Sequence, residues 1–148
     1  MNTLSALYAH VWENNLVTDN LLNLLSKYTT AGTYYRGTSL KSLPAAGEVL
    51  KNHFSFSREK KVAFDFMYKG KTSPYAALLV AEGPMYSIEL CYSSLYEDLM
   101  AAGADLSKLC KLESTVSEEM EMVCPSRCLR VEKVTDFGSY VEIRCTLV

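Results

Sequence analysis

Apolar residues recur at three- and four-residue spacings near the start of the chain, with Leu4, Tyr8, Val11 and Trp12 in one set and Leu21, Leu22, Leu24, Leu25 and Tyr28 in a second. That period predicts helix over residues 3–28. The "ENN" break and a capping Thr18 or Asp19 divide the stretch into two helices, or into one kinked helix. Past "TTAG", with Gly32 closing the helical region, β-branched and aromatic residues take over in short runs. Those runs predict strands at 33–36, 52–57, 76–81 and 86–90. Between the second and third, "REKKVAFDFMYKG" carries Val62, Ala63, Phe66 and Met67 at helical spacing, which predicts a short helix. "SSLYEDLMAAG" predicts another, with Leu95, Leu99 and Met100 as its buried stripe and Gly103 as its stop.

The last third alternates with a period of two, in Leu129, Val131 and Val134 and then in Val141, Ile143 and Cys145. Strands are expected at "EMEMV", "CLRVEKV" and "SYVEIRCTLV", the last two joined by the turn "DFGS". Helices in front and strands behind define an α+β domain with a mainly antiparallel sheet or sandwich.

Composition narrows the class of protein. A chain of 148 residues, 49% apolar and 22% charged, is an ordinary globular chain of one domain. Its formal charge of −2 gives no general attraction for phosphate backbones, so nucleic acid is not favoured as a partner. The five cysteines, Cys91, Cys110, Cys124, Cys128 and Cys145, are odd in number and irregular in spacing, without a repeated CxxC pair. They read as reduced thiols of a cytoplasmic protein rather than as metal ligands, and no metal is expected. "MNTLSALYAHVWENN" lacks a basic leader and an unbroken apolar run, so a protein neither secreted nor membrane-bound is expected. His10 and His53 have no partner in sequence that would make either a base or a ligand.

Three short pieces carry the candidate chemistry. Arg36-Gly37 ends the opening strand, Ser55 and Ser57 lie two apart in "FSFS", and Glu119 and Glu121 lie two apart in "SEEMEM". Residues two apart on a strand share a face, which would put the two carboxylates about 6.6 Å apart at their α-carbons. A guanidinium for an anionic group, a hydroxyl, and two carboxylates in one space suit a substrate that is both anionic and sugar-like. Each piece also has a plain structural reading: a salt bridge for Arg36, cross-strand pairing for the serines, and a solvated strand face for the glutamates.

In order and spacing, aromatic-Arg-Gly, then Ser-x-Ser before a short helix, then Glu-x-Glu at the head of a late strand, the chain resembles the Arg-Ser-Glu class of NAD-dependent mono-ADP-ribosyltransferases. "EMEMVCPSRCLRVEKV" resembles that family's run of Glu-x-Glu, apolar strand, proline turn and next strand, while residues 1–31 match its helical lead-in in character only. The resemblance implies one domain over 1–148, with a two-sheet β core over 33–148. It also implies transfer of ADP-ribose from NAD to a side chain of a protein, arginine being favoured, with release of nicotinamide.

Residue by residue, the resemblance implies that Arg36 holds the NAD phosphates and that the Gly37 backbone meets the nicotinamide amide. Ser55 would orient the catalytic Glu121, Ser57 would support the strand edge at the NAD site, and Phe66 would lie beside the nicotinamide, with Lys69 near phosphate. Glu121 would stabilise the cation formed as the glycosidic bond breaks, and Glu119 would orient or deprotonate the acceptor. Residues 110–119 would be the loop that faces the target. Small size resembles phage or bacterial effector transferases acting in a cytoplasm, the host's if phage-encoded, on a host or bacterial protein. Readings of other classes are an inhibitor that binds NAD or a partner without catalysis, an NAD glycohydrolase, and a transferase acting on nucleic acid.

Overall fold

A computed structural model describes residues 19–51, 55–69, 74–101, 103, 105–125 and 128–148. Among these residues four helices and seven strands follow in the order α1 (Asp19–Leu25), β1 (Thr29–Leu40), β2 (Val49–Lys51), β3 (Ser55–Ser57), α2 (Lys60–Lys69), β4 (Tyr75–Ser87), α3 (Ile88–Ala101), α4 (Leu106–Glu119), β5 (Glu121–Val123), β6 (Cys128–Asp136) and β7 (Val141–Leu147). The helix expected ahead of α1 lies outside the described residues, as do His10 and His53.

β1 and β4 are longer than the runs of β-formers suggest, because each supports the other. They pair antiparallel without a break from Thr29 opposite Tyr86 to Leu40 opposite Tyr75. The two strands expected at 76–81 and 86–90 are therefore largely one, carried through Gly83, which takes φ +144° opposite Gly32. Residues 76–81 are all buried, so this stretch is continuously apolar instead of alternating. Pro84 falls where the second edge of β4 passes from β7, paired at 77–82, to β5, paired at 86–87, a gap in which a missing N–H is tolerated.

The expected two-sheet core is instead one hydrogen-bonded sheet in the order β1-β3-β5-β4-β7-β6-β2, in which β1 also pairs with β4. Strands β1, β3, β5 and β4 thus close on themselves, since β4 is long enough to hold β1 along one edge and β7 and β5 in succession along the other. Among the described residues only the β4–β7 pairing is parallel, so the mainly antiparallel expectation holds. The strands enclose a core that includes Phe56, Leu79, Met122, Leu129 and Ile143. Helices α1, α3 and α4 bury Leu25, Ile88, Leu109, Leu112 and Val116 together with Val123. On another face α2 sets Ala63 and Met67 against Leu78 and Val80 of β4.

Two helix boundaries depart from expectation for identifiable reasons. A strand is expected through residue 90, but Ser87 Oγ accepts the Leu90 N–H at 3.1 Å and caps α3 there. The buried stripe of α3 is Ile88, Cys91 and Tyr92, whereas Met100 is exposed; the side chains of Leu95 and Leu99 lie outside the described residues. Gly103, at φ +78°, ends this region as expected. Residues 110–119, expected as a loop, belong to α4. Asp105 accepts the Ser107 N–H at 2.9 Å as its cap, and Leu109, Leu112 and Val116 form a buried stripe at helical spacing. The β6–β7 turn is as expected, with Gly138 at φ +90° donating to Asp136 Oδ1.

Candidate active site

The closed strand set brings the three motifs to one place. β3 lies between β1 and β5, with Ser57 opposite Tyr35 on one side and Glu121 on the other. Ser55, Ser57 and Glu121 therefore share a face, while the intervening Phe56 and Met122 turn into the core. α2 packs beside β1 and forms the opposite wall of a cleft of about 310 Å³. Its lining includes Arg36, Gly37, Ser55, Ser57, Phe66 and Glu121.

Arg36 and Glu121 are linked through Ser55. Arg36 Nη1 donates to the Ser55 main-chain oxygen at 2.9 Å, and Ser55 Oγ donates to Glu121 Oε2 at 2.8 Å. The Glu121 side chain is buried, so its carboxylate is held by a fixed donor in poor solvent. Burial lowers the pKa of Arg36 from its ordinary value, and the nearby Glu121 carboxylate partly counters that fall. The cation is thus kept out of bulk water beside an anion, where a bound anionic group meets less competing solvent.

Gly37 is required by packing. A Cβ on it would stand 1.7 Å from the Ala63 carbonyl oxygen and 2.7 Å from the Met67 nitrogen, so α2 docks directly on the Gly37 backbone. Ser57 Oγ accepts the Glu59 N–H at 3.1 Å and fixes the turn from β3 into α2. Phe66, which the resemblance places beside the nicotinamide, is 51% exposed and lines the cleft. Lys69 ends α2, and its side chain lies outside the described residues.

Glu119 requires a correction. It does not share a strand face with Glu121, because it is the last residue of α4 and β5 begins only at Glu121. Met120 between them has φ +47°, and this left-handed residue breaks the two-residue alternation. The side chain of Glu119 lies outside the described residues.

Sequence reasoning missed Tyr35, Thr38 and Ser39 as part of the cleft. Extending the opening strand past Gly37 would have placed Thr38 on the face of Arg36. Among the described residues no cluster of three or more His, Cys, Asp or Glu could hold a metal, and no helix is long and apolar enough to cross a membrane.

Comparison with solved structures bears on the fold. The chain is similar to the Vis toxin, an ADP-ribosyltransferase from Vibrio splendidus, at TM-score 0.58 and 16% identity, covering 99% of this chain and 68% of that one. Vis in complex with the M6 inhibitor gives 0.59 and 16% with coverage of 100% and 68%, and Vis in complex with agmatine gives 0.56 and 15% with 98% and 68%. No protein-family model and no curated protein matches the sequence. The fold is ADP-ribosyltransferase-like.

Proposed function

We propose that the protein is a mono-ADP-ribosyltransferase that uses NAD as its ADP-ribose donor and a protein side chain, arginine by preference, as acceptor. The observation that carries this reading is the link Arg36–Ser55–Glu121 within one cleft, with Ser55 Oγ 2.8 Å from the Glu121 carboxylate. Arg36 and, as the resemblance implies, Lys69 would meet the diphosphate. The Gly37 backbone and the Phe66 ring would hold the nicotinamide, and Ser57 keeps the β3–α2 turn beside it in place.

In the reaction the bond between ribose C1′ and the nicotinamide nitrogen breaks, and its electron pair leaves with neutral nicotinamide. Positive charge grows on the ribose. A carboxylate about 4 Å from that charge stabilises it by roughly 4 kcal/mol at an effective dielectric near 20, and Ser55 keeps the carboxylate aimed there. A guanidine nitrogen of the acceptor then bonds to C1′ and gives up a proton, for which Glu119 is the proposed base. Agmatine, bound in one of the similar Vis structures, carries a guanidinium, which supports the arginine preference.

The placement of Glu119 at a helix end, separated from the strand of Glu121, favours a second reading in which water is the acceptor. The proposed setting is a cytoplasm, the host's for a phage or bacterial effector. Incubating the protein with NAD labelled in its adenylate and with a cell lysate tests the proposal. A labelled protein band that disappears with Glu121→Gln supports transfer. Nicotinamide release without a band supports hydrolysis, and neither product contradicts both.

A further inference from the structure

We propose that Met120 is a positioning residue, whose left-handed backbone aims the Glu121 carboxylate into the cleft; this rests on the catalytic role proposed for Glu121. Met120 is the one non-glycine residue with positive φ among the described residues, and it occupies the single position between the end of α4 and the start of β5. L-residues avoid this conformation because Cβ approaches the following carbonyl oxygen, so the surrounding structure must hold it.

Both main-chain groups of Met120 are engaged. Its N–H donates to the Val116 carbonyl at 3.1 Å and closes the last turn of α4, while its carbonyl accepts the Arg58 N–H at 3.4 Å. Arg58 in turn pairs with Glu89 of α3 at 2.9 Å, so the turn is tied to helices on two sides. Val116 is buried in the helical core, and Met122 lies in the core within the strands. The chain must therefore pass from one core to the other within a few residues. An extended residue at 120 would carry the strand on in line and return residue 119 to the face of Glu121. A right-handed helical residue would continue α4. Only the left-handed bend ends the helix and starts β5 with Glu121 opposite Ser57, in reach of Ser55 Oγ.

The effect is on backbone torsion, so it can be separated from any contact of the methionine side chain. Glycine and asparagine adopt positive φ readily, whereas valine does so rarely because its branched Cβ crowds the backbone. Met120→Gly, Met120→Asn and Met120→Val are to be compared for nicotinamide release from NAD, with thermal melting and far-ultraviolet circular dichroism on each. The Val variant is expected to lose about tenfold or more in kcat with KM for NAD changed less than about twofold, and the Gly and Asn variants to stay within about threefold of wild type. A purely structural role would instead lower the melting temperature and leave kcat per folded molecule unchanged.

Retained kcat in a folded Val variant overturns the proposal, and so does a tenfold loss in Gly or Asn whether or not Val folds. If the wild type turns over no NAD, the proposed function fails, and the Glu121 carboxyl 13C resonance, assigned with Glu121→Gln, decides the positioning claim. It should move in the Val variant and stay in place in Gly and Asn. An unmoved resonance in Val, or a displaced one in Gly or Asn, overturns it.

Discussion

At the scale of single residues, one serine joins the two charged groups of the cleft. Ser55 Oγ holds the Glu121 carboxylate at 2.8 Å while its own main-chain oxygen receives Arg36. Hydrogen bonds to charged groups contribute about 1.5–3 kcal/mol, so Ser55→Ala is expected to lower kcat by roughly tenfold to a hundredfold with the fold intact. Steady-state nicotinamide release beside a circular dichroism spectrum checks this; an unchanged kcat would show that the bond does not orient Glu121 for the proposed reaction. Arg36, Ser55 and Glu121 were legible as candidates, through the order and spacing of their motifs, while their meeting in one cleft depends on strand closure. Glu119 was legible as a residue but not in its place, since the torsion of Met120 leaves no mark in a pattern of polar and apolar positions.

Elements set the cleft, and α2 and α4 do so in different ways. α2 can lie against β1 only where the strand lacks a side chain, so Gly37→Ala must push the Ala63 carbonyl and Met67 amide away. That overpacking is expected to cost about 1–3 kcal/mol or more, and urea denaturation measures it. A lowered midpoint is the expected result, and an unchanged one would mean that α2 shifts without loss. α4 carries the chain into β5, and Leu112, fully buried among Leu109 and Val116, anchors it. Leu112→Ala should destabilise by about 2–5 kcal/mol, read from the same denaturation experiment. Of these two helices, α2 was expected from its apolar spacing. α4 was not, because lysine, glutamate, serine and threonine fill "CKLESTVSEE" and its stripe of Leu109, Leu112 and Val116 is sparse. The break between 76–81 and 86–90 was misleading for a different reason: a glycine and a proline interrupt the pattern, but the ladder to β1 carries the strand through.

Across the described residues, two of the clusters of buried apolar side chains make stability sensitive to alkali, one holding Cys91 and Tyr92 and the other Cys145. Burial pushes the thiols of Cys91 and Cys145 from 9.0 to about 11, and the Tyr92 hydroxyl from 10.0 to about 12, with Glu113 adding to the latter. The unfolded chain ionises these groups first. Their contribution is therefore complete below pH 9 and is lost as pH rises through about 11 for the thiols and about 12 for the tyrosine. The urea midpoint should fall over that window, and Cys91→Ala should flatten the fall; a midpoint that holds steady would contradict the thiol burial. The α+β class and the antiparallel bias were readable from the chain, since alternation and helical spacing are local. Closure of β1, β3, β5 and β4 was not, because it depends on the length of β4 and on pairings far apart in sequence. Under the proposed function, this closure assembles an NAD-cleaving site at Glu121. Nicotinamide release from NAD, measured with and without agmatine for wild type and Glu121→Gln, tests it most directly. Release by the wild type that the variant abolishes is expected, with acceleration by agmatine following from the proposed arginine preference, whereas equal release by both proteins, or none by either, would overturn the proposed function.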